Sequence, residues 1–265
     1  MGKRRRRTAV LCAMLVGVGM TGISGCGDSA EEPAKGSGKG GTEVRRMSAA
    51  LETLKGYDTV RVDGHFASIG GVDIHADRKG NCVGTVEYMG QGTAEVIHSG
   101  GERVWSRYDD ATLASWRGLA EQIGPDALAL HDKVAKKTRG KYVVSSASEM
   151  KDDPLLSLCD LDRAFADVPD SVSKVKSRNP QTKDGKRIVG LVEQPEGDEA
   201  TVYVPVTGAP VPLRIEFEID DEPVRLDILD AGKPVRITPP PASETVPSAE
   251  ATGLFPEIPE HMQGE

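Results

Sequence analysis

Between Leu213 and Ile219 the chain alternates strictly. Leu213, Ile215, Phe217 and Ile219 are apolar, while Arg214, Glu216 and Glu218 are charged. A two-residue period puts one set on each face of a strand, and a strand with one apolar face must find something to cover it. The same pattern recurs along the chain. In 58–67, Val60, Val62 and Phe66 alternate with Arg61, Asp63 and His65; in 72–77, Val72, Ile74 and Ala76 alternate with Asp73, His75 and Asp77. Segments 82–89, 93–98 and 102–107 continue the series, separated by Lys79-Gly80-Asn81, Gly90-Gln91-Gly92 and Gly100-Gly101. Short alternating strands with tight turns predict an antiparallel meander. A second set is predicted at 172–178, 186–193, 200–206, 213–219, 224–229 and 233–238, the last closing the sheet.

Helical spacing interrupts the strands in two places. Thr42 can cap a first helix in which Val44, Met47, Leu51 and Leu54 recur at three- and four-residue steps, ending at Gly56. In the centre, Leu113, Trp116, Leu119 and Ile123 make one amphipathic face that stops at Gly124-Pro125, and a second helix carries Leu128 and Val134. A third is predicted from Asp153-Pro154, with Leu155, Leu158, Leu161 and Phe165 at helical spacing and Cys159 within it. Strands and helices in blocks, rather than in alternation, give an α+β class.

The N-terminal end is of another kind. Lys3 and Arg4 to Arg7 precede an uncharged apolar run from Ala9 to Ile23, the order of a secretory signal peptide over residues 1–25. That run is shorter than the roughly 20 apolar residues a spanning helix needs. It ends in Ile23-Ser24-Gly25-Cys26, which resembles the lipobox of bacterial lipoproteins. The resemblance implies that the Cys26 thiol receives a diacylglycerol and becomes the first residue after cleavage. The residues alone also fit an ordinary secretory signal with a chance cysteine at the cleavage point. Arg6-Arg7 leaves both the general and the twin-arginine export routes open. Residues 26–41 then read as the lipidated cysteine and a flexible Gly-rich tether, 42–238 as one domain, and 239–265 as a Pro- and Glu-rich disordered tail. In that tail Leu254, Phe255 and Ile258 read as a short docking point.

Cleavage removes five basic residues. The 33 Lys and Arg less those five leave 28 against 41 Asp and Glu, a formal net charge of −13. Such a chain is a poor partner for nucleic acid, whose phosphates need a basic face. The same charge argues against electrostatic docking on anionic lipid and leaves the acyl chains to hold the membrane. Of four cysteines, Cys12 leaves with the leader and Cys26 is lipidated, so Cys82 and Cys159 remain. Two thiols in an oxidising compartment pair, which predicts a Cys82–Cys159 disulfide.

Catalytic patterns are missing: the sequence holds no G-x-S-x-G, H-E-x-x-H or S-x-x-K. No enzyme, cofactor or metal is expected. His65 and His75, on the outer face of adjacent predicted strands, read as surface residues. Asp109-Asp110, Asp152-Asp153 and Asp220-Asp221 read as caps and turns, and Trp105 and Trp116 as core.

The order of parts resembles the LolA-like fold and, within it, the actinobacterial LppX/LprG-type lipoproteins, over most of 43–242. Gly100-Gly101-Glu102-Arg103-Val104-Trp105 is similar to the family's Gly-Gly strand start leading to an aromatic. Gly232-Lys233-Pro234-Val235-Arg236-Ile237-Thr238-Pro239-Pro240 is similar to its closing G-K-P-V-x-I-x-x-P, and Val211-Pro212-Leu213-Arg214 loosely to its L-P-x-R. The resemblance implies a curved antiparallel half-barrel sheet whose concave face helices partly cover, making an apolar cavity. The alternation itself fits equally well helices packed tightly with no cavity. With the lipobox, the resemblance implies an extracytoplasmic lipoprotein on the outer face of the cell membrane, held by acylated Cys26, that binds and transports a lipid or other hydrophobic ligand. The alternative is an envelope interaction or sensor lipoprotein that binds a protein partner and carries no lipid. No ligand-binding residue is assigned.

Overall fold

A computed structural model describes residues 39–66, 70–87, 91–100, 102–150, 158–166, 168–169, 171–193, 200–219 and 222–256. The leader, the lipidation site at Cys26 and most of the tether lie outside the described residues, as do Asp152-Asp153 and Asp220-Asp221.

Among the described residues thirteen strands join in one curved, open sheet. Six of them, β1 (Thr59–Phe66), β2 (Gly70–Asp77), β3 (Cys82–Glu87), β4 (Thr93–Ser99), β5 (Arg103–Tyr108) and β6 (Tyr142–Ser146), pair each with the next as one antiparallel meander. A second meander contains β7 (Val175–Ser177), β8 (Gln181–Lys183), β9 (Lys186–Glu193), β10 (Ala200–Pro205), β11 (Arg214–Ile219) and β12 (Glu222–Leu229), with β7 and β8 both paired to β9. The meanders meet through β1 and β12, which set Val62 opposite Ile228 and Gly64 opposite Leu226. At the far edge β13 (Thr245–Pro247) pairs in parallel with β6.

Register carries the alternation across the sheet. Val62 opposes Ile74, Val72 opposes Val86, and Ile215 opposes both Val202 and Leu226, so one face is apolar from edge to edge. The helices pack on that face. On one side α1 (Lys39–Lys55) sets Met47, Ala50 and Leu51 against Val189, Leu191, Val202 and Val204, and drives Leu54 into the cluster around Val60 and Ile74. On the other, α2 (Asp110–Ile123) and α3 (Pro125–Thr138) bring Leu113, Trp116, Val134 and Ala135 onto Ala94, Tyr108 and Val143. Asp109 starts α2 by accepting a hydrogen bond from the Thr112 amide at 2.7 Å, and Gly124, at φ 144°, turns the chain so that Pro125 opens α3. Between these groups the short α4 (Leu161–Ala164) lays Leu161 on Val72, Ile74 and Val104. A disulfide joins Cys82 of β3 to Cys159, with Cα atoms 5.2 Å apart.

The opposite face is a ladder of paired charges. Arg61 grips Asp73 at 2.6 and 2.5 Å; Glu95 accepts from Arg107 at 2.6 Å and from Tyr142 at 2.7 Å; Asp227 accepts from Arg214 and Lys183, each at 2.7 Å. Burial pushes the Glu95 and Asp227 carboxyls up, but these donors outweigh it and hold both below the usual carboxylate range.

Several elements differ from the sequence-based expectation. α1 starts at Lys39, not Thr42, and Gly56 ends it as expected by donating to the Glu52 carbonyl. Asp160 caps α4, so no continuous helix passes from Cys159 to Phe165. β6 and β8 are additional strands, although each leaves a signal in the sequence. Tyr142-Val143-Val144 is β-rich, and Asp184-Gly185, both at positive φ, is a hairpin turn pair.

The largest correction concerns the C-terminal part. Residues 233–238 are not a strand: Pro234 lacks an N–H, and the segment crosses the charged face instead. The Lys233 carbonyl lies 3.1 Å from His75 Nε2, and Ile237 packs on Ile97, Trp105 and Tyr142. Within the stretch from 239, which composition marks as a disordered tail, residues 239–256 are folded, and 245–247 pair with the sheet. Two 3₁₀ turns, Ala242–Glu244 and Ser248–Glu250, flank β13, and Val246, Ala251 and Leu254 are buried. Pro and Glu lower the average hydropathy, but three well-spaced apolar side chains are enough to dock the segment. No described helix is long and apolar enough to cross a membrane.

Candidate functional site

Coverage of the apolar face is uneven. On β2 to β5 it is closed: Val72, Ile74, Val86, Val96 and Val104 are buried beneath Leu54, Cys159 and Leu161. On β9 and β10 it is closed again, with Leu191, Val202 and Val204 beneath α1. Between these regions run β1, β12 and β11, and there the same face mixes buried Val60, Val224 and Ile228 with half-buried Val62, Phe66, Leu226, Ile215 and Phe217. Leu226 lies over Gly64, where a Cβ would come within 2.6 Å of its methyl carbon, so only glycine fits beneath it. The half-buried apolar side chains Met150, Leu158, Phe165 and Val168 pack against the first cluster, as Val62, Phe66 and Ile215 do. The result is an apolar strip about three strands wide, roughly 10 Å across at the usual strand spacing. Nothing along it can act as acid, base or nucleophile, so its chemistry is the exclusion of water from apolar groups.

The disulfide holds the cover at one point, and a histidine sits beside it. His98 lies opposite Cys82 in the register and is 7% exposed, with no hydrogen bond to either ring nitrogen. Burial pushes its imidazole pKa down; Asp160 and the Gly80 backbone, the latter outside hydrogen-bond geometry, oppose this without restoring it. A histidine depressed in the folded state binds its proton first in the unfolded chain, so stability falls as pH drops below about 6.5. Thermal unfolding between pH 7.5 and 5 is therefore expected to show a falling Tm that His98→Leu flattens. An unchanged slope in that variant would remove His98 as the cause.

Cys82 and Cys159 are joined. His65 and His75 share the charged face but are not neighbours, since the register pairs His65 with Gly71 and His75 with Arg61. No group of three His, Cys, Asp or Glu among the described residues is arranged to hold a metal ion. Asp109 is a cap, and Trp105 and Trp116 are buried in separate apolar clusters. Two clefts of about 320 and 310 Å³, lined mainly by charged and polar side chains around Arg139, lie away from the strip. The strip residues are all visible in the sequence as alternating apolar positions. Their incomplete cover is not, because it depends on where α1 and α4 fall.

A one-faced antiparallel sheet with helices on its apolar side defines the LolA-like class of fold. Among solved structures, LprF from Mycobacterium bovis is similar over 75% of this chain and 97% of its own, with a TM-score of 0.51 and 15% identity. The Mycobacterium tuberculosis lipoprotein LppX covers 74% and 98% respectively, with a TM-score of 0.46 and 12% identity. The first likeness shows the shared fold. No family model matches the sequence, and no curated protein matches it.

Proposed function

We propose that this protein is a non-enzymatic lipoprotein, anchored through acylated Cys26 on the outer face of the cell membrane, that binds a lipid or other hydrophobic ligand and transfers it within the envelope. The observation that carries this reading is the half-covered strip of Val62, Phe66, Leu226, Ile215 and Phe217 between two fully closed regions of the same face. In this reading the apolar face is the concave one and the helices are its cover. An acyl chain laid along the strip gains about 0.8 kcal/mol for each methylene taken out of water. Withdrawal of the segment carrying Phe165 and Val168 admits and releases it. The lipobox-like Ile23-Ser24-Gly25-Cys26 supports the setting, and the likeness to LprF supports the fold.

Native mass spectrometry of residues 27–265, expressed for secretion and followed by organic extraction, tests the reading. Bound mass released as lipid is the expected result. A bare protein that also fails to take up added phospholipid would sink it. The double substitution Phe66→Gln and Ile215→Gln is expected to weaken uptake at least tenfold, on the order of 1.4 kcal/mol or more, because polar amides then face a desolvated chain. Comparable uptake by a folded variant would move the site elsewhere.

A protein-binding role without cargo has one observation in its favour. Leu130 and Phe255 are 46% and 48% exposed, and Leu130 packs close above Gly253, two residues from Phe255. A cargo-free protein that captures an envelope protein through these two side chains would favour that second reading.

A further inference from the structure

Net charge hides a strong local asymmetry. The whole chain carries 41 Asp and Glu against 33 Lys and Arg, yet residues 174–187 hold Lys174, Lys176, Arg178, Lys183, Lys186 and Arg187 against Asp184 alone. Folding gathers these residues on one sheet edge. β7 and β8 both pair with β9, which sets Lys176 opposite Val192, Lys183 opposite Lys186 and Thr182 opposite Arg187. Lys183 is used internally, held by Asp227 at 2.7 Å. Lys174, Lys176, Lys186 and Arg187 are exposed and have no ion-pair partner among the described residues.

Two further features converge on the same place. α1 packs on β7 and β10, and its Arg46 donates to the Pro205 carbonyl, which places exposed Arg45 nearby on the same helix. Val206 in turn donates to the Arg187 carbonyl at 2.9 Å and begins the loop Val206-Thr207-Gly208-Ala209-Pro210-Val211-Pro212-Leu213. That loop contains no charged side chain, and Thr207, Gly208 and Ala209 at its tip are exposed. An uncharged tip among basic side chains matches a headgroup layer, where the tip enters the interface and the cations meet phosphates.

We infer that the β7–β8–β9 edge, the start of α1 and the 206–213 loop form a docking surface for anionic phospholipid headgroups. Outside 174–187 the chain from Cys26 onward holds 40 Asp and Glu against 22 Lys and Arg, so this edge departs in sign from the overall balance and sets an orientation that net charge conceals. Cys26 lies thirteen residues before Lys39, which is at most about 45 Å of fully extended chain. The surface therefore works within range of the bilayer that the proposed acyl anchor would occupy, and in that respect the inference rests on the anchoring reading.

The test uses the mature chain with Cys26→Ser, so it depends on neither acylation nor cargo. Co-sedimentation is measured with vesicles of phosphatidylcholine alone and of phosphatidylcholine with phosphatidylglycerol, at low and high salt. The expected result is binding to the anionic vesicles only, lost at high salt. The triple variant Lys174→Gln, Lys176→Gln and Lys186→Gln should lower that partition on the order of a hundredfold, from about fivefold per basic residue at an anionic surface. A matched control, Lys133→Gln, Lys136→Gln and Lys141→Gln, removes three exposed charges on and just after α3 and should change it by less than about twofold. No binding to anionic vesicles overturns the inference. So does equal weakening by the two triples, which would reduce the effect to bulk charge. Circular dichroism of both triples confirms that the comparison is between folded proteins. Failure here leaves the extraction result untouched, and an empty extraction leaves this surface standing.

Discussion

Replacing both Cys82 and Cys159 with alanine is expected to lower the unfolding free energy by about 4 kcal/mol. The bridge closes a loop of 77 residues, and the chain-entropy model assigns a constraint of that length about this value. It is a large share of the 5–15 kcal/mol typical of a domain, so the double variant should melt at markedly lower temperature. The bridge also has a local task. Cys159 leads into α4, whose Leu161 closes the apolar face over Val72, Ile74 and Val104. Without the bridge, this short element keeps only its side-chain contacts and the Asp160 cap. Urea unfolding of the oxidised protein, the reduced protein and the double variant provides the check. The reduced protein and the double variant should coincide, both well below the oxidised protein. A loss smaller than about 1 kcal/mol would mean that the unfolded chain is already compact around this loop.

Truncation after Pro241 is the second large effect. A disordered tail could be removed at a cost within about 0.5 kcal/mol. Here the deletion removes β13 from the edge of β6 and takes Val246, Ala251 and Leu254 out of the fold. Leu254 is fully buried among Leu113, Trp116 and Val134, and its carbonyl lies 3.0 Å from Nδ1 of the buried His131. Leu254→Ala alone should cost about 3 kcal/mol, as a leucine deleted from a packed core does. The truncation should cost more, because it also exposes Tyr108 and Trp116, whose rings lie 5.3 and 4.3 Å from Phe255. Tryptophan fluorescence and thermal melts read both changes. A truncated chain that melts like the full one would show that α2 and α3 hold their cluster unaided.

Both effects fall where the sequence stops being legible on its own. The strands are legible where alternation is strict, as at Leu213 to Ile219, because a two-residue period is a local property of the chain. The ends of α2 and α3 are legible for a similar reason: Asp109 and Gly124-Pro125 act within a few residues. Cysteine pairing is legible because only Cys82 and Cys159 remain outside the expected leader and lipobox. The crossing from Lys233 to Pro241 imitates a strand, because Val235 and Ile237 alternate as strand residues do. Only a partner strand could have made it one, and Ile237 rests instead on Ile97 and Trp105.

Local pattern therefore determined the α+β class, the two meanders, the one-sided apolar face and the pairing of Cys82 with Cys159. Tertiary structure decided the rest. It joined the meanders through β1 and β12, left the strip at Val62, Ile215 and Phe217 half covered, folded the C-terminal segment onto Trp116, and gathered six basic residues on one edge of an acidic chain. Each of these depends on which distant segments meet. Periodicity assigns a side chain to a face, but the closure of that face and the charge around it come from packing partners far away in the chain.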